Sequence, residues 1–153
     1  MEKLSDIMDP RCIRLELTAR GKEEAIEELV RLLAEAGKLD DTEMCVGEVM
    51  ARERISSTGI GQSVAIPHRL IAGISSIMMA VGRKGGKGIP FDSIDGKPVH
   101  MIFLIIGPQG KNNEYLKILS KLSSYLNDKV FFEAMMTVKE ADEVMKLIKN
   151  REQ

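Results

Sequence analysis

Net charge is almost absent from this sequence: 22 basic and 23 acidic side chains leave a formal charge of -1 over 153 residues. Without a one-signed field there is little to draw in a nucleic acid duplex or an anionic lipid surface, so no nucleic acid partner is expected. Long apolar runs are missing too. The longest, Met101 to Ile106, falls far short of the roughly 20 residues that a spanning helix needs, so the chain is not expected to be membrane-embedded. The first ten residues, MEKLSDIMDP, lack an apolar signal core and a small-residue cleavage site, which predicts a cytoplasmic location. Cysteine is scarce as well. Cys12 and Cys45 lie in apolar surroundings without the paired spacing of a zinc or redox motif, and read as small buried hydrophobes. With two histidines and no helical ligand spacing, a zinc hydrolase has little support and no metal is expected. A Walker lysine motif and a metal-binding carboxylate cluster are both absent, which argues against a kinase, a phosphatase or a bound nucleotide, and no cofactor is expected.

What is present is 44% hydrophobic residues in a length that suits one compact domain, expected to span 1–153. Cys12 to Leu17 alternates as a strand with one wet face. Lys22 to Ala36 has apolar residues at helical spacing, acidic residues in its first turn and Gly37 to close it. Asp40 and Glu43 form a candidate capping box for a second helix running to about Arg52. Ile55 to Gln62, ISSTGIGQ, reads as a loop, Val64 to Ile66 as a short buried strand, and Ser76 to Val81 as another strand followed by an exposed RKGGKG connection. Val99 to Ile106 is a continuous apolar run, as expected of a central strand covered on both faces. Helices are predicted over Asn113 to Leu126, on to about Met136, and after a Thr137/Glu140 capping box. Interleaved strands and helices predict an α/β fold: a mixed, mostly parallel sheet with helices packed on both faces in a single domain.

The chemistry converges on His68. It follows a glycine-bearing loop, a short apolar strand and Pro67, whose ring stiffens the chain that presents the imidazole. With a reference pKa of about 6.5, a neutral imidazole can attack phosphorus without a separate base. Gly59 and Gly61 let main-chain amides approach a phosphoryl oxygen, and the Ser57 and Thr58 hydroxyls can donate to it. Arg52, sixteen residues upstream, can add a guanidinium fork that matches phosphate geometry. His100, at the entry to the central strand, reads as a structural residue that satisfies backbone groups or faces solvent.

Ala51 to His68, ARERISSTGIGQSVAIPH, resembles the active-site signature of the fructose/mannitol-type enzyme IIA domains of the bacterial phosphoenolpyruvate-dependent sugar phosphotransferase system. The resemblance continues through Ile89 to Val99, the apolar strand and the helix beginning Asn112-Asn113-Glu114-Tyr115-Leu116, and so covers nearly the whole chain. It implies that His68 accepts phosphate from the carrier protein HPr or its nitrogen-branch counterpart, with Arg52 as the motif arginine. It further implies onward transfer to an enzyme IIB or, for the nitrogen-regulatory type, binding of a regulatory target protein according to phosphorylation state.

One departure stands out. Where such domains usually carry a second histidine beside the phosphorylated ring, this chain has Tyr115, a phenol that can donate a hydrogen bond to a phosphoryl oxygen but adds no positive charge near pH 7. Slower transfer, or a role mainly as a sensor, is the expectation, with Arg69 a candidate for part of the missing charge.

Overall fold

A computed structural model describes residues 3–153. The elements in chain order are α1 (Leu4–Ile7), a 3-10 turn (Pro10–Cys12), β1 (Ile13–Arg14), α2 (Lys22–Glu35), α3 (Thr42–Ile55), β2 (Gly59–Gly61), β3 (Val64–Ala65), β4 (His68–Ile71), β5 (Met78–Arg83), β6 (Met101–Pro108), α4 (Asn112–Leu126), α5 (Lys129–Thr137) and α6 (Ala141–Arg151). The apolar run expected as a strand over Val99 to Ile106 supplies β6, shifted to Met101–Pro108 with Val99 left in an isolated bridge to Ile89, and the sheet is built around it. On one side β5 pairs with it antiparallel, and β1 pairs parallel with β5. On the other side β3 runs parallel to its first residues and β4 to its last, with β2 folded antiparallel onto β3. The mixed, mostly parallel sheet expected from the sequence is the one observed, three of its five pairings being parallel.

Side chains alternate across this sheet because the strand period is two. Ile102, Leu104 and Ile106 face α2 and α3, while Met101, Phe103 and Ile105 face α1, α4, α5 and α6. Helices therefore cover both faces, and β6 has no wet side. Each fully buried Leu, such as Leu29 under α2 or Leu122 under α4, contributes roughly 1.5–3 kcal/mol relative to exposure. Gly37, at a φ of 76°, ends α2 in the left-handed conformation that favours glycine. Among the described residues, no helix is long and apolar enough to cross a membrane.

Several sequence expectations shift. The strand expected over Cys12 to Leu17 is only Ile13–Arg14, since Asp9 caps the 3-10 turn through the Arg11 N–H and Leu17 returns to bond the Arg83 carbonyl at 2.9 Å. The cap of α3 is Asp41, which accepts from the Met44 N–H at 3.0 Å, rather than an Asp40/Glu43 box. This helix also runs past Arg52 to Ile55, so that Arg52 and Glu53 sit in its last turn. At α6 the cap is Glu140, whose N–H donates to Glu143 at 3.0 Å, whereas Thr137 closes α5 by donating to the Glu133 carbonyl at 3.1 Å. The expected loop over Ile55 to Gln62 includes the short strand β2.

Candidate functional site

His68 owes its position to strand alternation carried across a proline. Val64 and Ile66 face α4, Ala65 faces the opposite layer, and the same period puts His68 and Leu70 on the α4 face and Ile71 on the other. Pro67, lacking an N–H, interrupts the ladder between β3 and β4, yet its carbonyl accepts from the Ile105 N–H at 3.0 Å and keeps the chain against β6. The half-buried ring then turns back on its own strand, with Nδ1 2.9 Å from the Ile66 carbonyl oxygen. A carbonyl can only accept, so Nδ1 carries the hydrogen and Nε2 holds the free lone pair. Burial holds the imidazole below its ordinary pKa; the Ile66 bond and the Glu53 carboxylate pull it up, and the charges of Arg52 and Arg69 push it down. The ring is neutral and nucleophilic at pH 7.

Tyr115, in the first turn of α4, lies against that ring with centroids 4.8 Å apart and planes inclined by 30°. Its hydroxyl is buried and finds no hydrogen-bond partner among the described residues. Burial pushes the phenol up to about 12, against the opposing charge of Arg52, so it remains a neutral donor. Arg52 is anchored through Nη1 to the Ser56 carbonyl at 3.0 Å, and its charge lowers the pKa of both His68 and Tyr115. The imidazole and the phenol ring are thus in contact at the edge of an apolar layer, under the influence of the Arg52 charge.

The glycine turn does not supply the donors expected of it. Ser57 Oγ donates to the Phe91 carbonyl at 2.6 Å and accepts from the Gly59 N–H at 3.1 Å. Thr58 gives its N–H to both oxygens of Glu53 at 3.2 Å, and its hydroxyl donates to the same carboxylate. Buried donors must find partners within the protein: the Ser57 hydroxyl finds Phe91, the Thr58 hydroxyl finds Glu53 and the Gly59 amide finds Ser57, so none of the three is turned toward a phosphoryl group. Gly59 is needed for that packing, because a Cβ would stand 2.4 Å from Ser93 Oγ and 2.9 Å from Ser93 Cα. Gly61, at a φ of 88°, turns the chain, and the following Gln62 N–H donates to Asp95 at 3.2 Å.

Arg69 points away from the ring. Alternation puts it on the α3 side, where Nε lies 3.5 Å from Glu48, so it does not stand in for the cation missing at Tyr115. His100 uses Nε2 to hold the Gly86 carbonyl at 3.1 Å, a structural contact in the connection leading into β6. Sequence reasoning passed over Glu53. Only 4% exposed, it continues the buried stripe Cys45, Val49 at helical spacing and is paired with Lys22 Nζ at 3.1 Å. A carboxylate four places beyond the last buried apolar residue was the available signal. Among the described residues no three His, Cys, Asp or Glu side chains converge on a point where a metal would sit.

The family model described as "Phosphoenolpyruvate-dependent sugar phosphotransferase system, EIIA 2" matches residues 6–151. A fructose-specific EIIABC component of Bacillus subtilis is 34% identical over 146 residues, 95% of this chain, though the chain spans only 23% of that larger protein. The crystal structure of the nitrogen regulatory protein IIA-Ntr from Neisseria meningitidis superposes with a TM-score of 0.88 at 34% identity, covering 95% of this chain and 98% of that one. The fold is also that of the Escherichia coli mannitol enzyme IIA solved in complex with phosphorylated enzyme IIB, at a TM-score of 0.74 and 23% identity over 92% of this chain and 95% of that one. With a match over nearly its whole length and the signature ending in His68, the chain belongs to the EIIA 2 family of the phosphoenolpyruvate-dependent sugar phosphotransferase system.

Proposed function

We propose that this chain, acting as one IIA domain over 1–153, is a cytoplasmic phosphoryl carrier that receives phosphate on Nε2 of His68 from an HPr-like phosphohistidine protein and passes it to an enzyme IIB. The observation that carries this reading is the Nδ1 contact with the Ile66 carbonyl, which leaves Nε2 as the nucleophile on a ring that packs against Tyr115, whose hydroxyl has no partner, and that feels the charge of Arg52. In the first transfer the Nε2 lone pair attacks phosphorus, the P–N bond of the donor breaks, and its electron pair returns to the donor ring. A new P–Nε2 bond forms while Nδ1–H keeps its hold on Ile66. Arg52 and Tyr115 meet the phosphoryl oxygens, the first with charge and the second with a single donated hydrogen bond. Onward transfer repeats the displacement, with the nucleophile of IIB attacking and Nε2 leaving.

Incubation with HPr, its upstream enzyme and phosphoenolpyruvate is expected to add one phosphate that is acid-labile and alkali-stable, and His68→Ala is expected to add none. Label persisting in that variant would remove the assignment.

A second reading is favoured by the neutral Tyr115 and by the likeness to a nitrogen regulatory protein: phosphorylation as a switch for a regulatory target. Close to two negative charges on His68 would repel an acidic or apolar partner. Pull-downs with unmodified, phosphorylated and His68→Ala protein separate the two, since rapid transfer to a IIB marks the carrier and state-dependent capture marks the switch.

A further inference from the structure

The Ile66 carbonyl decides which nitrogen of His68 reacts, so whatever fixes that peptide has a part in the reaction. Ile66 is held on its amide side by one bond, its N–H donating to the Thr58 carbonyl at 3.0 Å. Thr58 is in turn clamped by Glu53, which takes both its N–H and its hydroxyl. Glu53 is buried and is itself held by Lys22, whose Nζ lies 3.1 Å away and 4.8 Å above the Phe91 ring. A continuous chain therefore runs Lys22, Glu53, Thr58, Ile66, His68, drawing on α2, the last turn of α3, the glycine turn and the strand end. Resting on the carrier reading given above, we propose that Glu53 is a positioning residue for phosphoryl transfer: clamped to Lys22, it holds Thr58 and through it the Ile66 carbonyl that keeps His68 in the Nδ1–H form with Nε2 exposed for attack.

The structure favours this over a purely packing role. A charge buried only to fill space is costly unless paired, and an apolar residue at the end of the stripe Cys45, Val49 would continue that face without needing Lys22. Instead, all the bonds of the carboxylate converge on Lys22 and on the one residue that grips Ile66. Its negative charge also favours the cationic ring that forms when Nε2 gains phosphate while Nδ1 keeps its hydrogen.

The test uses full-length protein, Glu53→Gln, which removes the charge, and Thr58→Val, which removes only the hydroxyl. In protein labelled with 15N-histidine and held above the titration of the ring, the long-range N–H correlation spectrum reports the tautomer directly. Wild type is expected to show the Nδ1–H form. Glu53→Gln is expected to shift toward the Nε2–H form and to lower the rate constant of phosphate uptake from phospho-HPr by about 10-fold, acting on kcat rather than KM. Thr58→Val is expected to move both readouts the same way by less, and it carries the test if Glu53→Gln does not fold. Folded variants with the wild-type tautomer and the wild-type rate would overturn the proposal. A wild-type protein that takes no phosphate would defeat the carrier reading alone, and a tautomer shift in the variants would still uphold the positioning of the ring.

Discussion

Replacing Tyr115 by Phe tests the site through two effects of opposite sign. The hydroxyl is buried against the His68 ring without a hydrogen-bond partner, and leaving such a group unsatisfied costs about 1–3 kcal/mol. Phe keeps the ring, its place in the apolar layer that includes Ile118 and Leu122, and its contact with the imidazole, so only the penalty is removed. The unmodified variant is expected to gain about 1 kcal/mol, the low end of that range, which for a chain of this length corresponds to a rise in Tm of about 2–4 °C. Phosphoryl transfer should move the other way. A hydrogen bond to a charged oxygen contributes about 1.5–3 kcal/mol, and each 1.4 kcal/mol is tenfold in rate, so uptake is expected to slow by about 10- to 100-fold if the bond is fully formed in the transition state. Thermal unfolding of the unmodified protein and the initial rate of labelling from phospho-HPr measure the two halves. A variant that melts lower than wild type and accepts phosphate at the wild-type rate would refute both the orphaned hydroxyl and its role. One that melts higher but transfers normally would show that the phenol never reaches the phosphoryl group.

Because burial lowers the His68 pKa, an NMR titration of the ring is expected to give a midpoint below the ordinary value of about 6.5, and a midpoint above it would contradict the desolvated ring. The linkage follows in sign: the unfolded chain binds this proton more readily, so the associated stability is complete above about pH 6.5 and is lost as pH falls toward the folded pKa. Gly59→Ala is expected to destabilise the fold by about 1–3 kcal/mol, since Ser93 Oγ can rotate away but Ser93 Cα, at 2.9 Å, cannot; an unchanged urea midpoint would show that the turn yields.

Much of this site was legible in residue order. The period of two that places Val64 and Ile66 on one face continues through Pro67 to His68, and the helical stripe of α4 brings Tyr115 to the inner side of its helix. The glycine turn was less legible, for a physical reason. Ser, Thr and Gly in a loop announce available donors, but whether those donors meet a ligand or the protein depends on what packs across from them, here the segment around Phe91 and Ser93. The buried Glu53 was missed because a charged residue near a helix end reads as solvated until Lys22, from another helix, is brought against it.

By itself, then, the sequence determined the elements whose cause is local: the alternation of the strands, the apolar stripes of the helices, the stiff Ile66-Pro67-His68 end and the signature that carries family membership. Tertiary structure alone decided which nitrogen of His68 is free, which hydroxyl beside it lacks a partner and which side chains hold the turn. Periodicity is a property of neighbours along the chain, whereas hydrogen-bond satisfaction is settled between groups that meet only after the chain has folded.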